Sequence, residues 1–315
     1  MPVPLLRAAR RAALAALLLA AALPSTLPAQ AAPARERMLV SGEWLARHLR
    51  DPGLVLLHVG ERAEYDREHI PGARFVTLGD VSTPHPQGDD GLHLQMLPAA
   101  ELRERLAALG VSDGSRVVLY YGGDWVSPTT RVFFALDHAG LGAQTSVLDG
   151  GMQAWKREGR PVTAEVPRSA AGRLAARPAR DLVVDAEWVR THRGRPGVVL
   201  VDGRAAAFYD GVQAGGGRSG HIPGARSIPF TEITDERLAV RSPAELDALF
   251  RRAGAKPGDT VVGYCHIGQQ ATAVLFAART LGYDVRLYDG SFEDWDRRAD
   301  LPVENPAAAR RGGQP

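Results

Sequence analysis

The sequence predicts an α/β protein of two like-built domains, each a central, mainly parallel sheet flanked by helices. Three observations predict it. A set of motifs occurs twice in the same order. His69-Ile70-Pro71-Gly72-Ala73-Arg74 returns as His221-Ile222-Pro223-Gly224-Ala225-Arg226, and Val147-Leu148-Asp149-Gly150-Gly151 with Trp155 returns as Leu287-Tyr288-Asp289-Gly290-Ser291 with Trp295. The repeat length of about 140 residues makes each copy a whole domain rather than a solenoid unit. Within each copy, short apolar β-rich runs alternate with stretches of helical periodicity, as in a parallel sheet covered on both faces.

In chain order, residues 1–31 read as a signal peptide. Arg7, Arg10 and Arg11 precede an apolar run of Ala and Leu over 12–23. Pro24, Ser25 and Thr26 follow, and Ala29-Gln30-Ala31 supplies an A-x-A cleavage pattern. The run is short for a bilayer span, so the mature chain is expected to be exported, periplasmic or extracellular, without stable membrane insertion. An uncleaved anchor is the alternative. The pair Arg10-Arg11 leaves open Sec or twin-arginine export.

The first domain is placed at 38–165. Gly53 to His58 reads as a strand, and so does 116–120. The latter continues into Tyr121-Gly122-Gly123-Asp124-Trp125, a connection with no thiol that reads as a few residues longer than its counterpart. A stretch rich in Ala, Arg and Pro marks a linker at 166–180. The second domain is placed at 181–305, with buried parallel strands at Val198–Asp202, Thr260–Tyr264 and Asp284–Tyr288. Helical spacing over 243–254 and 271–282 follows two of its connections, and Ser242 with Glu245 forms a capping box for the first. Residues 306–315 read as a frayed tail.

Composition narrows the function. The chain has 315 residues, 38 of them basic and 36 acidic. The leader's three arginines account for the basic excess, so the rest is close to neutral and lacks the basic footprint of a nucleic-acid binder. No His/Cys/Asp/Glu spacing suggests a metal site and no glycine-rich turn a dinucleotide, so no cofactor is expected. A single cysteine, Cys265, permits no internal disulfide. In an oxidising compartment a lone thiol risks mixed disulfides and oxidation, so chemical use explains its presence better than packing does.

Cys265 directly follows the strand ending at Tyr264 and precedes His266-Ile267-Gly268-Gln269-Gln270 and the helix from Ala271. Ligands of open α/β sheets bind beyond the carboxyl ends of the strands. Loop and first-turn N–H groups lack intrahelical partners and can cradle an anion. With the helix dipole they favour the thiolate, the nucleophilic form. Gly268 permits tight curvature there. The loop lacks the closing arginine that a cysteine phosphatase needs.

These residues resemble the tandem-domain rhodaneses, the thiosulfate and 3-mercaptopyruvate sulfurtransferases, over essentially the whole chain after the leader. The resemblance rests on the two His-Ile-Pro-Gly-Ala segments, on Asp202-Gly203-Arg204, on the Cys265 loop and on the Asp-Gly…Trp closures. It implies two rhodanese-like domains, an inactive first one and a second that carries sulfur as a Cys265 persulfide. In the first copy His58 and Gly60 stand where the second has Asp202 and Arg204. The loop Cys-His-Ile-Gly-Gln-Gln matches neither subtype of the family, and Phe208 stands where a basic residue is expected.

The expected function is transfer of sulfane sulfur from thiosulfate, or a similar small anionic donor, to a thiol or cyanide acceptor, with a small redox protein as a further candidate acceptor. A 3-mercaptopyruvate sulfurtransferase is one alternative, and a non-catalytic redox-sensing or anion-binding module another. Cys265 is the nucleophile. His266, Ile267, Gly268, Gln269 and Gln270 contact substrate or persulfide, the last three mainly through backbone N–H groups. Arg204 either faces the cleft or pairs with a carboxylate. Arg218, beside Gly215-Gly216-Gly217, is a candidate for reaching an anionic substrate. Asp202 and His221 are structural residues near the site, because the motif of His221 also occurs in the copy without a thiol.

Overall fold

The computed structural model describes residues 31–84 and 91–312; all but the last residue of the leader lies outside them. Two five-stranded parallel sheets form the frame. The first contains β1 (Leu39–Val40), β2 (Leu54–Val59), β3 (Arg74–Val76), β4 (Arg116–Tyr121) and β5 (Thr145–Leu148), in the order β1-β5-β4-β2-β3. The second contains β6 (Val183–Val184), β7 (Val198–Asp202), β8 (Arg226–Ser227), β9 (Thr260–Tyr264) and β10 (Asp284–Tyr288), in the order β6-β10-β9-β7-β8. The orders are identical, so the sequence repeat is a repeat of topology. Registers agree too: His58 lies opposite Tyr120 and Asp202 opposite Tyr264. Tyr121 therefore occupies in the first copy the place of Cys265 in the second.

The strands form where apolar runs are bounded by breakers, and their central members are buried on both faces. Helix Pro243–Arg252 begins with the expected capping box: the Ser242 and Glu245 side chains each accept from the other's N–H, at 3.4 and 3.0 Å. Gly254, at φ +86°, turns the chain after it. Residues Pro306–Gly312, read from the sequence as frayed, form a last helix. The Asn305 side chain accepts from Ala308 N–H at 2.8 Å, and Ala307 donates to Asp210. The segment 166–180 is bound to the first domain rather than free. Gly172 donates to the Ala107 carbonyl at 2.7 Å, and a Cβ on Gly172 would come within 2.0 Å of the Val111 oxygen.

Each sheet has one face on its own domain's apolar cluster. The other faces share a single core that runs through both domains. Its centre is the pair of helices Val126–His138 and Ala271–Thr280, which follow the two equivalent strands β4 and β9. Phe133 meets Phe276 edge to face at 4.9 Å, and the hydroxyls of Thr130 and Thr272 lie 3.0 Å apart.

The loop of the first copy is shorter than that of the second, contrary to the sequence reading: residues 122–125 lead into Val126, whereas 265–270 lead into Ala271. The helix starts early because Val126 N–H bonds the Asp124 carbonyl at 2.7 Å and Thr129 bonds that of Trp125.

Candidate active site

The Cys265 loop is held from three sides. Toward its own domain, Cys265 N–H donates to Ser291 Oγ at 3.1 Å, and that hydroxyl donates to the Tyr288 carbonyl at 2.9 Å. The carbonyls of Cys265 and His266 accept from Phe292 and Glu293 at 3.0 Å each. Ser291 holds this place with φ +52°, a left-handed conformation unusual for a residue with a side chain. Its counterpart Gly151 has the same φ, and a Cβ there would sit 2.4 Å from the Tyr121 ring. Tyrosine with glycine in one copy thus corresponds to cysteine with serine in the other.

The second hold comes across the domain boundary. Arg131, fully buried in helix Val126–His138, forms an ion pair with Asp289 at 2.6 Å and reaches the Gly268 and Leu94 carbonyls. Asp289 also accepts from Met96 N–H at 2.6 Å. Gly268 has φ +79°, and a Cβ there would meet the Asp289 carbonyl oxygen at 2.8 Å. The loop curvature and the interdomain ion pair therefore fit around one another. The third hold is Gln269, whose amide donates to Ser127 Oγ at 3.1 Å while its carbonyl accepts from Thr272 Oγ1 at 2.6 Å. Neither Arg131 nor Asp289 is among the site residues expected from the sequence. The available signal was an arginine inside an otherwise apolar helix.

Cys265 itself has no exposed surface. Among the described residues, the N–H groups of 266–270 have no protein acceptor. Beside the loop lies a polar cleft of about 440 Å³ lined by His266, Ile267, Phe292 and the glycines 215–217, with Arg218, Asp296, Glu293 and Arg297 on its walls. The first domain contributes His93, which meets Glu293 at 2.7 Å. His266 packs edge to face on Phe208 at 4.5 Å. Burial, and then the nearby Arg204 cation, hold its imidazole below the ordinary value.

The two candidate arginines are engaged within the protein. Arg204 is buried, bonds both Asp202 oxygens and the Gly220 carbonyl, and lies over the Phe292 ring at 4.1 Å. Burial opposes its charge, but Asp202 more than offsets that and raises its pKa. Of the two options for Arg204, the geometry shows pairing. Arg218 lines the cleft, but its guanidinium is engaged by the protein's own groups. It pairs with Asp296 at 2.9 Å and donates to the carbonyls of Trp295, Asp296, Arg298 and Leu301. A guanidinium amid four backbone carbonyls and a carboxylate finds partners for its donors there. Arg297, the third, pairs with Glu293 at 2.8 Å.

Asp202 accepts the Arg204 N–H at 2.9 Å. His221 stacks on Tyr209 at 3.8 Å and bonds its carbonyl at 2.8 Å, as His69 does with Tyr65 at 4.0 and 2.7 Å. Gln270 leaves its buried Oε1 without a partner. Among the described residues no group of three or more His, Cys, Asp or Glu is placed to hold a metal ion, and no helix is long and apolar enough to cross a membrane.

Comparison with known proteins agrees with this architecture. The sequence profile of the rhodanese-like domain matches residues 41–158 and 185–298. The thiosulfate sulfurtransferase of Rattus norvegicus is 32% identical over 88% of this chain and 97% of its own length. A sulfur carrier protein of Thermus thermophilus is 31% identical over 86% and 97%. Among solved structures, a 3-mercaptopyruvate sulfotransferase of Escherichia coli superposes with a TM-score of 0.71 at 26% identity, covering 80% of this chain and 98% of that one.

Proposed function

The chain belongs to the tandem-domain rhodanese family and is a sulfurtransferase, and from that premise we propose that Cys265 carries the transferred sulfur as a persulfide. The observation that supports this reading most is the contrast between the two copies. One scaffold occurs twice, and the sole thiol stands at a strand end beside loop N–H groups without acceptors, where the other copy has Tyr121.

With thiosulfate as donor, the Cys265 thiolate attacks the outer sulfur. A new S–S bond forms at Sγ, the S–S bond of thiosulfate breaks, and its electron pair leaves with sulfite. The N–H groups of 266–270 hold the terminal persulfide anion in place of water. Cyanide or a thiolate then attacks the terminal sulfur, and the electron pair of the breaking S–S bond returns to Cys265 as thiolate. With Arg204, Arg218 and Arg297 each paired to a carboxylate, donor binding falls mainly to these N–H groups. Since Cys265 has no exposed surface, the donor reaches Sγ when side chains around the loop shift. Export through the 1–31 leader, and a small thiol or redox protein as acceptor, complete the reading.

The test is the mass of the intact protein after incubation with thiosulfate, 3-mercaptopyruvate or a polysulfide. A gain of about 32 Da, removed by cyanide and absent in Cys265→Ser, is the expected result. No gain with any donor would instead favour a sensing or anion-binding module. The relative rates among the three donors assign the subtype.

A further inference from the structure

The first domain keeps a pocket where the second has its cleft. The equivalence is residue by residue. Met152 and Lys156 take the places of Phe292 and Asp296, and Gly122 that of His266. The cavity measures about 180 Å³, room for a few waters or one small organic molecule. At its floor is His58, which is 1% exposed and has no hydrogen-bond partner at either ring nitrogen. Buried polar side chains are nearly always hydrogen-bonded, and an exception calls for an explanation.

Two glycines keep that imidazole facing the pocket. A Cβ on Gly60 would lie 2.7 Å from His58 Nε2, and one on Gly122 would lie 3.0 Å from it. The same point beside Gly122 is 2.9 Å from Glu64 Oε2. An imidazole nitrogen and a carboxylate thus converge on one spot. No third His, Cys, Asp or Glu joins them in an arrangement fit for a metal ion, among the described residues. The rest of the wall is mixed in charge: Arg67 has no ion-pair partner among the described residues, while Lys156 pairs with Glu68, itself in the wall, at 2.5 Å.

We propose that this pocket binds a small zwitterionic amino acid. Its ammonium group is held by Glu64 and His58, and its carboxylate by Arg67 and Lys156. The carboxylate of Glu64 selects against a bare anion such as sulfate or thiosulfate. The nearby cations select against a bare amine. Loss of the thiol in this copy has therefore left a ligand site separate from sulfur transfer.

The test uses the full chain with glycine and L-serine as probes, and with sulfate, acetate and methylammonium as controls, by calorimetry and thermal shift. Saturable binding of glycine or serine is expected. Glu64→Gln should weaken it about tenfold or more, the loss of one charged hydrogen bond. Gly122→Ala should abolish it by placing a methyl at the point of convergence. Glu64 is partly exposed at the surface, so its variant is expected to fold, and both variants should still load sulfur on Cys265. No binding of either amino acid would overturn the proposal. So would binding of sulfate alone, or amino-acid binding undiminished in both variants.

Discussion

Tyr121 and Cys265 sit at one register position, yet each has a partner suited to it alone. Gly151 makes room for the phenol ring, while Ser291 supplies a hydroxyl to the Cys265 N–H. Swapping one residue of either pair without the other creates a clash or an orphaned donor. Arg131 is the residue on which the site most depends outside its own domain. It is fully buried and paired with Asp289. Arg131→Met should destabilise the protein by about 3–5 kcal/mol, because a buried carboxylate loses its counter-charge. A denaturant melt checks it, and a change below about 1 kcal/mol, the range of an exposed pair, would contradict it. His58 gives a pH signature. Burial, more than the neighbouring His69, holds its imidazole down at about 4, against ~6.5 in an unfolded chain. The folded pKa is the lower one, so between these values the unfolded chain binds a proton that the folded chain refuses. Stability is full above ~6.5 and declines toward pH 4 by up to ~3 kcal/mol. His58→Phe should flatten that part of the curve. Parallel curves for variant and parent would refute the assignment.

At the scale of elements, three of the five strands of the second copy were legible because apolar runs ended at Gly, Pro or Asp, whereas the two-residue strands β6 and β8 are too short to show a pattern. β7, β9 and β10 have the bounds read from the sequence. The capping box at Ser242 was legible for the same local reason. What escaped the sequence depends on contacts between distant segments. The loop after β4 is short because Asp124 and Trp125 start the helix early, which repeats alone did not reveal. The tail helix needs Asp210 to receive its first turn. The engagement of Arg218 depends on carbonyls near residue 300, about eighty positions away. The two central helices carry the interdomain core. Phe133→Ala should remove the edge-to-face contact with Phe276 and cost about 3–5 kcal/mol. Domain-specific melting, read from the near-ultraviolet signal, should then show the two halves losing cooperativity. A single unchanged transition would contradict that role for the helix pair.

At the scale of the molecule, the first domain is part of the machinery even without a thiol. Its helix covers the one that follows the Cys265 loop. Arg131 fixes the Gly268 curve, Ser127 holds Gln269, and His93 closes the cleft on Glu293. The second domain expressed alone, from residue 181, would expose that helix face and orphan Asp289. It should load no sulfur, and adding the separate first domain should restore loading only in part. In this chemistry Cys265 alone carries the sulfur. The most direct measurement is intact-protein mass after donor incubation, followed by a cyanide chase. One added sulfur, about 32 Da, is expected, lost on the chase with formation of thiocyanate and absent in Cys265→Ser. An adduct that persists in Cys265→Ser, or none with thiosulfate, 3-mercaptopyruvate or polysulfide, would contradict it.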